Sequence, residues 1–155
     1  MIWEELNPAL VLTDVEVTDS KGVMKKVGGA LIDAGYAKES YIDALIKRES
    51  EFPTGLDVDG FGVAIPHTDV SHVLKAGIAI AVLKNPVTFI QMGTDDETVE
   101  VKLVFMLSVT DPNAHIDKLQ RILEIIQDTA VLDQLLTADS KEQIIEIIRE
   151  KENSL

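Results

Sequence analysis

Apolar positions recur at helical spacing in the first third of the chain, after one run that resembles a strand. Residues 9–17, ALVLTDVEV, are rich in β-branched side chains, which is typical of a strand. The cluster TDS at 18–20 offers side chains that cap a helix, and a stripe of apolar residues follows it up to Gly35. A second stripe begins at about Glu39 and stops before Pro53, so the pattern predicts two helices. The stripes comprise Val23, Val27, Ala30, Leu31 and Ala34, and then Ile42, Leu45 and Ile46.

The middle of the chain is richer in strand patterns. Residues 54–60, TGLDVDG, predict a turn, and residues 61–65, FGVAI, predict a short buried strand. Residues 76–83, AGIAIAVL, are apolar at consecutive positions, as in a central strand that is covered on both faces. The KNP at 84–86 predicts a second turn. Residues 98–109 begin with alternating polar and apolar positions and then become continuously apolar. This pattern predicts a strand that runs from the surface into the interior.

The last third of the chain is helical in pattern. A DPN motif with Asn113 as the expected cap precedes a third stripe, and a short helix is predicted over 129–137. A final helix begins at about 140, where Asp139 and Glu142 have the spacing of a capping box. Helices at both ends with strands between them predict an α/β fold, a three-layer α/β/α sandwich around a mixed sheet. The third stripe comprises Ile116, Leu119, Ile122, Leu123 and Ile126.

Length, composition and charge limit what this fold can do. A chain of 155 residues with 46% hydrophobic residues and no repeat or linker predicts a single domain over residues 1–155. The absence of cysteine excludes disulfides, thiolate metal sites and cysteine nucleophiles. A formal net charge of −13 disfavours nucleic acid and anionic lipid as partners. With no long apolar run and no basic leader, we expect a cytoplasmic protein with no direct membrane insertion.

The three histidines, His67, His72 and His115, are the side chains available for proton transfer or nucleophilic chemistry near neutral pH. The spacing between the first two does not suit a helical metal site, and no HExxH motif occurs. The chain also lacks the GxSxG elbow of serine hydrolases and the glycine-rich loops that hold nucleotides. We therefore expect neither a metal nor another cofactor.

Two of the histidines and one arginine lie where they could handle a phosphoryl group. In VAIPHTD, Pro66 stiffens the chain after an apolar strand and directs His67 outward at the end of the sheet. His115 falls in the first turn of the third helix, where the helix dipole favours a neutral imidazole and a bound anion. Arg48, late in the second helix, could pair with phosphate. Each residue taken alone could equally be structural or solvated, but transient phosphorylation of a histidine would use all three.

The run RESEFPTGLDVDGFGVAIPHTD, residues 48–69, resembles the active-site signature of a known family. It is similar to the type-2 enzyme IIA domains (fructose–mannitol superfamily) of the bacterial phosphoenolpyruvate-dependent sugar phosphotransferase system. The second histidine of that family matches His115 in DPNAHIDKLQRI, and the resemblance extends over roughly residues 5–150. The positions that match the signature are Arg48, Glu49, Thr54, Gly55, Ala64, Ile65, Pro66 and His67.

The resemblance implies a role for each residue of the candidate site. His67 would accept a phosphoryl group from the phosphocarrier protein HPr and pass it to a IIB component that carries a cysteine. His115 would assist the phosphoryl group and Arg48 would balance its charge, while Thr54 and Asp69 could orient groups nearby. A membrane IIC component, which sets sugar specificity, would be only an indirect partner.

The chain departs from the family pattern after the active-site histidine, where Thr68 replaces a small residue that is often glycine. EFPTG, PHTD and the additional His72 resemble the galactitol branch, and His72 itself is expected to be structural or exposed. Two alternatives remain open at this point. One is a regulatory IIA-like protein of the nitrogen type, whose phosphorylation state controls a protein target. The other is an unrelated small-molecule function on the same fold.

Overall fold

A mixed five-stranded sheet forms the middle layer of the protein. The computed structural model describes residues 1–155. The strands lie in the order β1-β4-β5-β3-β2, with β1 parallel to β4, β3 parallel to β5, and the other neighbours antiparallel. The strands are β1 (Val11–Val15), β2 (Gly55–Val58), β3 (Phe61–Ala64), β4 (Gly77–Ile90) and β5 (Thr98–Ser108). The helices are α1 (Ser20–Asp33), α2 (Tyr41–Glu51), α3 (Pro112–Ile126), α4 (Thr129–Thr137) and α5 (Lys141–Asn153), with short 3₁₀ segments at Ile2–Glu5, Pro8–Leu10 and Val70–His72.

Helices cover both faces of this sheet. One hydrophobic cluster joins α1 and α2 to the sheet, and a second joins α3, α4 and α5 to its other face. Ala79 and Ala81 of β4 belong to the first cluster, while Ile78 and Ile80 belong to the second. Because successive residues of a strand point to opposite faces, this continuously apolar strand fills both cores. The predicted three-layer α/β/α sandwich is confirmed, and no helix is long and apolar enough to cross a membrane.

The parallel pairing of β3 with β5 brings two distant parts of the chain to one edge of the sheet. Ala64 pairs with Val104, and the Leu107 N–H donates to the carbonyl of Pro66 at 3.0 Å beyond the end of β3. Parallel strands finish at the same edge, so the segment after β3 lies beside the segment that leads from β5 into α3. α3 begins at Pro112, just past this edge.

Residues 54–60 form a strand and a hairpin turn instead of the predicted turn. β2 and β3 are antiparallel neighbours, joined by Asp59 and Gly60, which both have positive φ values of 49° and 91°. The Gly60 N–H donates to the side chain of Asp57 at 2.8 Å. A two-residue Asp-Gly connection suits the twist of a β-hairpin. The turn is therefore limited to Asp59 and Gly60, and the prediction of a turn over all of 54–60 is wrong because residues 55–58 form β2.

The predicted turn at 84–86 is also wrong, because β4 continues through it to Ile90. The register against β5 shifts between Val82 and Val87, so the KNP segment forms a bulge within one long strand. Pro86 lacks a backbone N–H, and a bulge accommodates it because the ladder is interrupted there.

Two predicted helix caps lie one or two residues away from the observed caps. Asp111, not Asn113, caps α3, since its side chain accepts the N–H of Asn113 at 3.0 Å. The cap of α5 is Ser140, which accepts the N–H of Gln143 at 3.1 Å, so the predicted Asp139–Glu142 box is wrong. The stripe of α3 also differs, because Ile116 and Leu123 are exposed while Ile125 is buried.

The two ends of the chain are joined by a buried carboxylate. Glu152 of α5 is 2% exposed and accepts the backbone N–H of Ile2 at 3.0 Å and that of Trp3 at 2.6 Å. Arg121 of α3 lies 3.6 Å away from it. The N-terminal 3₁₀ segment is therefore fastened against α5 and α3, on the same side of the sheet as His115.

Candidate functional site

His67 stands just beyond β3 with its imidazole orientation set by its own backbone. Its Nδ1 lies 2.9 Å from the carbonyl oxygen of Ile65. A carbonyl can only accept a hydrogen bond, so in the neutral ring Nδ1 carries the proton and Nε2 keeps a lone pair. The half-buried ring therefore keeps an unprotonated Nε2.

His115 lies in the first turn of α3, and its ring packs against that of His67. The ring centroids are 4.6 Å apart, with an angle of 54° between the planes. The buried Nδ1 of His115 has no hydrogen-bond partner within the protein. Since buried polar atoms are normally satisfied, this unpartnered nitrogen distinguishes His115 from an ordinary buried histidine.

The surroundings favour the neutral form of both imidazoles. Burial lowers the pKa of His67, and the nearby positive charge of Arg48 lowers it further, while the bond to Ile65 acts in the opposite direction. Burial also lowers the pKa of His115, to about 4, with additional contributions from His67, Lys118 and Arg48. Near pH 7 both rings are therefore uncharged, which is the state that a nucleophilic imidazole requires.

Arg48 lies in α2, which packs on the face of the sheet opposite to α3 and His115. With His67 and His115 it lines a cavity of about 230 Å³. Its guanidinium carbon lies 4.4 Å from the centre of the Phe52 ring, and the side chain makes no ion pair or hydrogen bond. The N–H groups of Arg48 are consequently free for an anion in the cavity.

The position of α2 relative to His67 is held by one buried tyrosine. The Tyr41 hydroxyl donates to the carbonyl of Leu107 at 2.6 Å, and the N–H of Leu107 donates to Pro66, the residue before His67. This chain of bonds connects the first turn of α2 with the segment that carries His67. The helix that bears Arg48 and the loop that bears His67 therefore share an anchor on β5.

Thr54 lies behind the cavity and does not line it. Its N–H and hydroxyl both donate to the Glu49 carboxylate, at 2.7 and 2.8 Å, and its carbonyl accepts the N–H of Ile65 at 3.4 Å. Burial raises the pKa of Glu49, and the two bonds from Thr54 counteract the rise. Glu49 and Thr54 connect α2 to Ile65, the residue that follows β3 and precedes Pro66 and His67. They therefore support the site without lining the cavity.

Asp69 lines the same cavity but is engaged locally. Its carboxylate accepts the N–H of Ser71 at 3.0 Å and the Ser71 hydroxyl, and these bonds lower the Asp69 pKa. It caps the short 3₁₀ segment at Val70–His72. A carboxylate held in this way orients the loop after His67 and adds negative charge at the cavity rim.

His72 does not join the imidazole pair. It lines an adjoining groove of about 460 Å³, which shares Arg48 and Asp69 with the cavity at His67. Its Nδ1 lies 2.8 Å from the hydroxyl of Ser40. This contact connects the 3₁₀ segment to the start of α2.

Two residues of this site, Glu49 and Phe52, were not singled out from the sequence. Glu49 belongs to the matched signature, but its bonds to Thr54 cross the helix end and depend on how the chain turns there. Phe52 follows Arg48 by four residues, which is the spacing of neighbours on one helix face and the only local signal for their contact. No group of three or more histidine, aspartate or glutamate side chains is arranged to hold a metal ion.

Comparisons with known proteins identify the family of the chain. A family model described as "Phosphoenolpyruvate-dependent sugar phosphotransferase system, EIIA 2" matches residues 4–151. The galactitol-specific EIIA component of Escherichia coli (strain K12) is 30% identical over 127 residues, which cover 82% of this chain and 84% of that protein.

Two solved structures have closely similar folds. The Escherichia coli enzyme IIAMtl, determined in complex with phosphorylated enzyme IIBMtl, has a TM-score of 0.78 at 22% identity, covering 94% of this chain and 97% of its own. The nitrogen regulatory protein IIA-Ntr from Neisseria meningitidis has a TM-score of 0.75 at 26% identity, covering 95% and 98%. The family match spans nearly the whole chain, and the chain therefore belongs to the EIIA type-2 family of the phosphoenolpyruvate-dependent sugar phosphotransferase system.

Proposed function

We propose that the chain is a phosphocarrier IIA component in which His67 accepts a phosphoryl group from phospho-HPr and passes it to a IIB component. The observation that carries the proposal is the bond between His67 Nδ1 and the Ile65 carbonyl. It leaves Nε2 unprotonated in a cavity that His115 and Arg48 also line. Family membership supports the reaction class, and this bond supports Nε2 as the reacting atom.

The transfer needs no proton to be removed from the nucleophile. The Nε2 lone pair attacks phosphorus, a bond from Nε2 to phosphorus forms, and the donor's bond to phosphorus breaks with its electron pair. The proton on Nδ1 remains in its bond to Ile65, which also supports the positive charge that develops on the ring. In the second step the acceptor attacks phosphorus, and the electron pair returns to Nε2.

His115 and Arg48 are suited to the oxygens of the transferred group. The His115 ring lines the cavity and makes no hydrogen bond within the protein, so an N–H at its cavity-facing nitrogen can donate to a phosphoryl oxygen. Arg48 offers planar N–H donors that no carboxylate occupies. Together they would compensate the phosphoryl charge without a metal.

Both exchange partners would be proteins that meet the same face. Three exposed apolar side chains lie next to the site residues: Phe52 beside Arg48, Val70 on the cavity wall, and Ile116 after His115. Exposed apolar groups around a polar centre are typical of a protein interface. The net charge of −13 favours a partner with a basic face.

The galactitol relative and the galactitol-like motifs favour a galactitol-type system within this proposal. The IIB partner is inferred by analogy with the IIAMtl complex, and IIC would be met only through IIB. We place this activity in the cytoplasm, where phosphoenolpyruvate is available. A regulatory function is the second candidate, because the nitrogen regulatory IIA-Ntr shares the fold at 26% identity.

The experiment is a labelling reaction with phosphoenolpyruvate, enzyme I and HPr, followed by intact mass measurement. We expect one phosphoryl group per chain, lost in acid, and none on His67→Ala. His72→Ala is the matched control, because His72 lies outside the cavity and should leave the labelling intact. Labelling of His67→Ala at the wild-type level would refute the proposal. Transfer onward to a galactitol-type IIB protein favours transport, whereas a labelled chain that transfers to no IIB protein favours regulation.

A further inference from the structure

Phe52 is a large apolar residue whose ring is 56% exposed directly beside the candidate site. It follows the last residue of α2, and its N–H donates to the carbonyl of Arg48 at 2.7 Å. Pro53 comes next, and a residue before proline is disfavoured from helical backbone, in agreement with the non-helical φ of −134° and ψ of 83° at Phe52. The backbone of Phe52 is therefore fixed from both sides, and its ring is set beside the Arg48 side chain.

The ring supplies the one specific contact that the Arg48 guanidinium makes. The guanidinium carbon lies 4.4 Å from the ring centre, within the range of a cation–π interaction. Asp43, Glu51 and Asp69 line the same groove, yet none of them lies within ion-pair distance of Arg48. The Arg48 guanidinium thus contacts the face of the Phe52 ring and none of the three carboxylates.

Stacking and phosphoryl binding use different parts of a guanidinium. The aromatic ring contacts the flat face of the group, while its N–H donors point outward in the plane. A stacked arginine can thus keep its contact with the ring and still donate to phosphoryl oxygens at its edge. Because the long side chain is already ordered, less conformational freedom is lost when the phosphoryl group arrives.

We propose that Phe52 is a positioning residue for phosphoryl transfer, which holds the guanidinium of Arg48 at the mouth of the cavity that contains His67 and His115. The inference rests on the proposed function of His67. Phe52 itself does not touch the transferred group, and it acts through Arg48.

The test compares Phe52→Leu, which removes the aromatic face, with Phe52→Tyr, which keeps it. Phosphoramidate serves as a small phosphoryl donor, because it needs no protein docking and removes any role of Phe52 in contacting HPr. We expect Phe52→Leu to take up the group about two- to fivefold more slowly, the range that an exposed cation–π contact predicts. Phe52→Tyr should restore the wild-type rate.

Two further measurements separate positioning from a general effect on the fold. The Arg48 side-chain proton resonances should be shifted by the ring current in the wild type and in Phe52→Tyr, and should move to unperturbed values in Phe52→Leu. In an Arg48→Ala background, Phe52→Leu should cause no additional loss of rate, because the residue through which it acts is gone. An additional loss there, or unchanged Arg48 resonances in Phe52→Leu, would overturn the inference.

Failure of the proposed function has a different signature. A wild-type chain that is labelled by phosphoramidate but not by phospho-HPr would refute HPr as the donor and still allow the Phe52 comparison. A chain that neither donor labels would overturn both the proposed function and this inference.

Discussion

The Nδ1 of His67 lies 2.9 Å from the carbonyl oxygen of Ile65, two residues earlier in the chain. This bond assigns the proton to Nδ1 and the lone pair to Nε2. Pro66 between the two residues restricts the backbone, so the carbonyl and the ring are held in this relation by local geometry. The neighbouring His115 has no such partner at its own Nδ1. The two imidazoles therefore differ in their hydrogen bonding, although they line one cavity.

The phosphoryl group should be attached to Nε2 of His67, because Nδ1 is already committed to Ile65. Long-range ¹H–¹⁵N NMR of the phosphorylated chain distinguishes the two ring nitrogens. We expect the phosphorylated nitrogen to be Nε2, with Nδ1 still protonated. A phosphoryl group found on Nδ1 would require the bond to Ile65 to break and would contradict the assignment.

His115→Ala should still accept a phosphoryl group but should pass it on slowly. The nucleophile is intact in this variant, whereas one donor to the phosphoryl oxygens is missing. Losing one such donor costs on the order of 10²-fold in rate. Single-turnover transfer to a IIB protein measures the loss.

His115→Asn provides the matched control for that measurement. The asparagine amide keeps an N–H donor on a side chain at the wall of the same cavity. We expect it to recover part of the rate that His115→Ala loses. Transfer by His115→Ala at the wild-type rate would remove the proposed role of this residue.

The lowered histidine pKa values predict a particular dependence on pH. The pKa of His115 is about 4 in the folded protein against an ordinary value of 6.5, so between these values the unfolded chain binds more protons. The contribution of His115 to the free energy of unfolding is fully present above about pH 6.5. It decreases as the pH falls from 6.5 and is lost once the pH has fallen through about 4. The pKa of His67 is lowered too and contributes with the same sign.

Urea unfolding at a series of pH values, with NMR titration of the ring protons, measures this dependence. His115→Gln should have a smaller loss of stability than the wild type between pH 6.5 and 4. Identical losses in the two proteins would mean that His115 does not titrate with a lowered pKa. Phosphoryl acceptance should decline at a lower pH than it would with an ordinary histidine, since the pKa of His67 is lowered by burial.

The local parts of the site could be predicted from the sequence. Pro66 limits the conformations open to the segment that carries His67, and Asp111 and Pro112 start α3 just ahead of His115. Such constraints act within a few residues. The cap nevertheless proved to be Asp111 instead of Asn113, because Pro112 occupies the first helical position and the residue before it then caps the helix.

The contacts between distant residues could not be predicted in the same way. The approach of His115 to His67 depends on the parallel pairing of β3 with β5, which no local pattern specifies. The bulge at 84–86 depends on Pro86 having a partner strand already in place. Glu152, near the end of the last helix, accepts two N–H groups from the other end of the chain. Each of these features joins segments far apart in sequence.

Glu49→Gln should weaken the support behind His67. The Glu49 carboxylate accepts two hydrogen bonds from Thr54, whose carbonyl in turn accepts the N–H of Ile65. A glutamine offers one acceptor oxygen in place of two and turns its NH₂ group toward a donor. We expect the free energy of unfolding to fall by about 1–3 kcal/mol, measured by urea denaturation.

The matched control for Glu49→Gln is Glu51→Gln, two residues further along α2. Glu51 is exposed and makes no hydrogen bond or ion pair, so its loss of charge should change the free energy of unfolding by less than about 0.5 kcal/mol. Because the Thr54 bond leads to Ile65, Glu49→Gln should also shift the His67 ring resonances, and Glu51→Gln should not. Equal effects of the two substitutions would mean that the charge on α2, and not the bonds to Thr54, stabilises the loop that ends at His67.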